Sequence, residues 1–136
     1  MNRSILAVLG GFILLQLGVS LATFVAYELM LGGLPGDEHI VPTTSYLVVN
    51  AAYCGVLAVG AGFITGVFAG SKPLAHAAAL AAILLILSVS SLARPSGVEP
   101  GWYVTTLAVV GPLGSLIGGI LRMRHKRDAL SARAHS

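Results

Sequence analysis

Charge is scarce in this chain. Only 10% of its 136 residues are Asp, Glu, Lys or Arg, against about 25% in a soluble domain. A surface so poor in charge does not keep a globular protein in water, and no folded basic face is available to grip nucleic acid. Cysteine is almost absent. The lone Cys54 excludes an internal disulfide and any Cys-based metal site, and reads as a small apolar residue. There is no paired nucleophile and base, no His-Glu metal motif and no glycine-rich phosphate loop between a strand and a helix. The glycine-rich stretch 60–70 lies inside an apolar run instead. The chain is therefore expected to be no enzyme and to carry no cofactor and no metal.

What is present is apolar sequence. Hydrophobic residues make up 56% of the chain, and the mean hydropathy is +0.89. Four runs, Ile5–Tyr27, Tyr46–Ala69, Leu74–Leu92 and Trp102–Leu121, contain no Asp, Glu, Lys or Arg. At about 1.5 Å per residue each is long enough to cross a hydrocarbon core of roughly 30 Å. The first run exceeds the 7–15 apolar residues of a cleaved signal, so it reads as a retained span. The expected fold is all-α: a transmembrane four-helix bundle of two antiparallel hairpins, occupying residues 1–121, with a basic tail over 122–136 that frays after Asp128.

Charge sets the expected orientation. Arg3, Lys72 and the tail residues Arg122, Arg124, Lys126, Arg127 and Arg133 fall on one side, and Arg94 falls on the other with Glu28, Asp37, Glu38 and Glu99. Basic residues stay in the cytoplasm, so both termini are expected there. Tyr27, Tyr46, Trp102 and Tyr103 then mark the opposite headgroup level. Arg122, Arg124, Lys126 and Arg127 are expected to contact anionic lipid headgroups. The short Ser71-Lys72-Pro73 turn predicts a tight hairpin of spans two and three.

Lipid tails are as apolar as leucine, so helices in a membrane associate by close approach at small residues and by polar contacts. Span two carries Ala58, Gly62, Gly66 and Gly70 at four-residue steps. Span four carries Gly111, Ser115 and Gly119, with a second row at Gly114 and Gly118. These rows are expected to pack spans against one another, or against a second copy or another membrane protein. Pro112 predicts a kink in span four.

Gln16, Ser20, Thr23 and Tyr27 recur at steps of four, three and four, which places them on one face of span one. Glu28 lies one residue further, and Asn50 and Tyr53 on span two are able to face them. The expectation is hydrogen bonding between helices. The alternative is a polar path toward Glu28. Glu28, Asp37, Glu38 and His39 read as a solvated loop rather than a cation site.

Glu28 closing span one, the Gly-Ala-Gly-x-x-x-Gly segment at Gly60–Gly66 and the sequence Glu99-Pro100-Gly101-Trp102 before span four resemble a group of small bacterial four-span membrane proteins with no assigned activity. The resemblance implies a bacterial inner-membrane location. Small multidrug-resistance transporters are similar in length and span number but carry a glutamate in the middle of span one, where this chain has Gln16. The expected role is a small accessory or scaffold subunit of the membrane. A small transporter or channel, with a polar path on span one and a homodimeric form, is the alternative.

Overall fold

A computed structural model describes residues 2–37, 40–93 and 99–134, with the side chains of all of these except 2, 3 and 132–134. The described residues form four helices and no strand: α1 (Asn2–Leu31), α2 (Thr44–Ala69), α3 (Pro73–Leu92) and α4 (Gly101–Ala134). Each is long and apolar enough to cross a membrane. The protein is an all-helical, multi-pass membrane protein.

Local chemistry sets the helix ends. Past Tyr27, α1 continues through Glu28, Leu29, Met30 and Leu31. It stops at Gly32, whose φ of +71° lets its N–H reach the Glu28 carbonyl at 3.2 Å, a glycine C-terminal cap. α2 begins after Thr43, which holds extended backbone angles and whose Oγ1 accepts from the Tyr46 N–H at 3.3 Å. α2 ends at Gly70 with φ +69°. Lys72 then takes a left-handed conformation, and Pro73 opens α3 at the position where a missing N–H costs least.

One expectation changes here. The segment from Asp128, expected to fray, is helical as far as Ala134, where the described residues end. Its 34 residues span about 51 Å, more than a roughly 30 Å core can hold, so its basic last turns project beyond the apolar part of the bundle. Ala129, Leu130, Ala132 and Ala134 are good helix formers and sustain it. The helix also continues through Pro112 without a break.

The helices pack unevenly. α2 and α3 are joined by a short turn, yet both pack more closely on α4 than on each other. α1 packs on α2, meets α3 only lightly and nears α4 only through the cluster at its Tyr27 end. The reason is glycine. A Cβ on Gly114 would press on Ala58 Cβ and the Gly55 carbonyl, and one on Gly118 would fall on the backbone of Val59 and Phe63. α4 therefore lies almost backbone to backbone on α2. Its other row, Gly111, Ser115 and Gly119, lies against Leu84, Ala77 and Leu74 of α3.

The contacts have a regular order. Gly10, Gly11 and Gly18 of α1 meet Phe68, Thr65 and Leu57 of α2, and Tyr27 meets Tyr46, so rising numbers meet falling ones. One core cluster, Leu15, Ala58, Ala61, Leu80 and Leu84, fills the middle. A second, Tyr27, Tyr46, Leu47 and Tyr103, closes one end. The other end carries Lys72 and the basic part of α4.

Candidate functional site

A network of polar side chains gathers at the Tyr27 end, while the buried Thr65 and Ser115 bond to backbone carbonyls elsewhere. Tyr46, Asn50, Tyr53 and Cys54 are spaced i, i+4, i+7 and i+8, which puts them on one face of α2. That face turns inward: Tyr46 is 3% and Asn50 6% exposed. α1 brings Thr23 and Tyr27 to it, and α4 brings Tyr103 from its first turn.

Asn50 is the hub. Its Nδ2 donates to the Tyr46 hydroxyl at 3.1 Å and to the Tyr53 hydroxyl. Its Oδ1 accepts from the Tyr103 hydroxyl at 2.8 Å and from the Cys54 thiol at 3.5 Å. An asparagine amide has two donor hydrogens and two acceptor lone pairs, and all four are used here. The Tyr53 hydroxyl shares a further 2.8 Å bond with Thr23 Oγ1. The Tyr27 ring stands edge-on to Tyr46, centroids 5.0 Å apart at 77°, a favourable aromatic arrangement. Through these seven side chains the cluster ties α1, α2 and α4 together. No buried side-chain nitrogen or oxygen among the described residues is left without a partner.

The polar face of span one divides. Thr23 and Tyr27 join the cluster, but Gln16, Ser20 and Glu28 are exposed. The tyrosines of α2 are long enough to reach over α1 at the Tyr27 end, whereas at mid-depth the side of α1 that carries Gln16 has no helix over it. Ser20 and Thr23 border a surface hollow of about 440 Å³ beside Leu34 and Pro35. The four residues thus do not form one internal path. Tyr53 and Tyr103, expected respectively as a neighbour of that path and as a headgroup anchor, are members of the cluster. The signal for Tyr53 was present in its helical spacing from Tyr46 on α2.

Among the residues expected to pack helices, Ala58, Gly62, Gly66, Ser115 and Gly119 are buried and Gly111 is half-buried. Gly70 is a correction. It lies in the turn with open space where a side chain would be, and its conformation rather than its size is what the fold uses. At the same end the Arg122 guanidinium sits 5.9 Å from the Phe63 ring centroid, and Lys126 Nζ donates to the Gly70 carbonyl at 2.8 Å. Arg124 and Arg127 are exposed. Glu38 and His39 of the first loop, and Arg94–Gly97 of the third, lie outside the described residues.

Comparison of the chain with protein-family models, curated proteins and solved structures found no match.

Proposed function

We propose that this multi-pass membrane protein is a non-catalytic accessory or scaffold subunit that works through its exposed helix faces and the basic end of α4. One observation carries the reading. Asn50 spends its whole hydrogen-bonding capacity on Tyr46, Tyr53, Cys54 and Tyr103 of the same chain. Tyr53 also closes Thr23. Polar groups that would have to line a passage are used to join helices. A small transporter or channel has a different observation on its side: Ser20 and Thr23 border the open hollow next to Leu34 and Pro35.

Flux measurements separate the two. Protein reconstituted in vesicles is expected to pass ions and small solutes no faster than protein-free vesicles. In native membranes a photo-crosslinker in place of Arg124 is expected to trap one different membrane protein, and the further exchange of Arg122, Lys126 and Arg127 for glutamine is expected to abolish the product. A gradient-driven flux, or crosslinking to lipid alone, would overturn the scaffold reading.

The finer architecture belongs to the same proposal: two antiparallel hairpins in a bacterial inner membrane, both termini in the cytoplasm and the basic residues on anionic lipid. The contact order of α1 with α2 and the clustering of basic residues at the Lys72 end support it. A green fluorescent protein fused after Ser136 is expected to fluoresce, and alkaline phosphatase fused after Gly36 to be active. The reverse pair of results would invert the orientation.

A further inference from the structure

Gln16 is an amide side chain that the bundle leaves unserved. It lies 12 residues beyond Ser4 and 15 before Leu31 in a span that runs Ser4–Leu31, about 18 and 22 Å from the two ends. Its short side chain cannot reach a headgroup from that depth. It is exposed and forms no hydrogen bond among the described residues. Several other polar side chains of the spans are partnered, although Ser20 and Ser88 have no partner among the described residues. Thr65, Ser90, Ser91, Thr105 and Thr106 fold back onto the carbonyl four residues earlier. Ser115 bonds to the Ala77 carbonyl of α3. A primary amide in hydrocarbon requires a partner from outside the chain.

The surroundings of Gln16 define the surface. Leu9, Ile13, Gln16 and Ser20 are all exposed and follow at steps of four, three and four, the spacing of a coiled-coil seam with one polar position. That side of α1 is free because α1 nears α4 only at its Tyr27 end and meets α3 little. Leu9 also lines a groove of about 460 Å³ that opens between α1 and α3 beside Ala75 and Ala79, which gives an incoming side chain room.

We infer that α1 pairs with α1 of a second copy through Leu9, Ile13, Gln16 and Ser20, the two Gln16 amides bonding to each other across a two-fold axis. Copies inserted in the same direction are related by an axis along the membrane normal, so each residue meets the other copy at its own depth. A primary amide is both donor and acceptor and so complements itself. A phospholipid tail fits the apolar positions and leaves the amide unbonded. The pairing does not depend on the accessory role, because it is measured on the purified chain alone.

The test uses the full chain with Cys54→Ala and single cysteines introduced by Leu9→Cys, Ile13→Cys, Ser20→Cys, Leu21→Cys or Val25→Cys. Oxidation in liposomes is expected to link the first three variants into dimers and to leave the last two, which face away, as single chains. In lipid nanodiscs the otherwise unaltered protein is expected to show the mass of two chains. Gln16→Leu should weaken association by about tenfold, and Gln16→Asn should retain most of it. Leucine is at home in lipid, so an unchanged helix content for Gln16→Leu separates lost pairing from lost folding. A single-chain mass at every protein-to-lipid ratio would overturn the pairing. So would crosslinking indifferent to face, or Gln16→Leu as tightly dimeric as the parent. Capture of a different protein at Ile13→Cys and Ser20→Cys in native membranes, with no self-linked product, would assign the face to that protein and equally overturn it.

Discussion

Gly118→Leu is expected to unfold the bundle, and Gly118→Ala to lower its stability by about 1–3 kcal/mol, the usual range for overpacking a filled interior. A Cβ at Gly118 falls on the Val59 carbonyl oxygen and the Phe63 nitrogen. These are backbone atoms of α2 and have no rotamer by which to escape. α2 and α4 must separate, and their close approach is the main source of cohesion for helices that gain nothing from hydrophobic burial against lipid. Gly62→Ala meets the same contact from the other side, at the Ser115 backbone. The double variant is therefore expected to cost less than the sum of the two, because the first substitution already parts the helices. Gly60→Ala is the control. Gly60 is exposed, with nothing within 4 Å of an added Cβ, and its replacement is expected to change stability by no more than about 1 kcal/mol. Thermal unfolding in detergent, followed by helix content, gives all four values. Equal melting temperatures for Gly60→Ala and Gly118→Ala would contradict the packing described.

Asn50→Leu is the second large effect, with an expected loss of about 2–3 kcal/mol. Leucine nearly fills the volume, so the loss is polar in origin. Tyr53 keeps Thr23 as a partner, but the buried hydroxyls of Tyr46 and Tyr103 lose the amide. Each orphaned buried group costs about 1–3 kcal/mol, and membrane hydrogen bonds average about 0.6 kcal/mol, which favours the lower part of that range. Tyr103→Phe removes one bond and is expected to cost about 1 kcal/mol. Cys54→Ala removes a weak thiol donor and is expected to be near neutral. The order of melting temperatures is the check: Asn50→Leu lowest, Tyr103→Phe next, Cys54→Ala highest. If Asn50→Leu melts with Cys54→Ala, the cluster does not hold the helices. Its polar groups would then be free for a ligand, and the transporter reading would gain.

Part of the site was legible in the residues. Asn50 and Thr23 stood out because polar side chains inside apolar runs are expensive and must be bonded. Tyr46 and Tyr103 were legible only as aromatic residues near span ends, where a headgroup role and a role in an interior cluster look alike in one dimension, and Tyr27 was legible both there and on the polar face of α1. The polar face of α1 read as one surface because Gln16, Ser20, Thr23 and Tyr27 share a helical face. Its division depends on side chains of α2 that are remote in the chain. Gly70 read as part of a packing row because four-residue spacing continues past the end of α2, and spacing does not register where a helix stops.

The sequence by itself determined that there are four membrane-crossing helices and that basic charge collects beside them, since transfer of an apolar run into lipid sums over its own residues and needs no partner. Tertiary structure alone decided that α4 is the common neighbour of α2 and α3, that Asn50 saturates its amide within the chain, and that Gln16 is left facing outward. Those outcomes depend on which backbones approach within a few ångströms, a property of pairs of helices. Small-residue rows permit such an approach without stating which neighbour takes it.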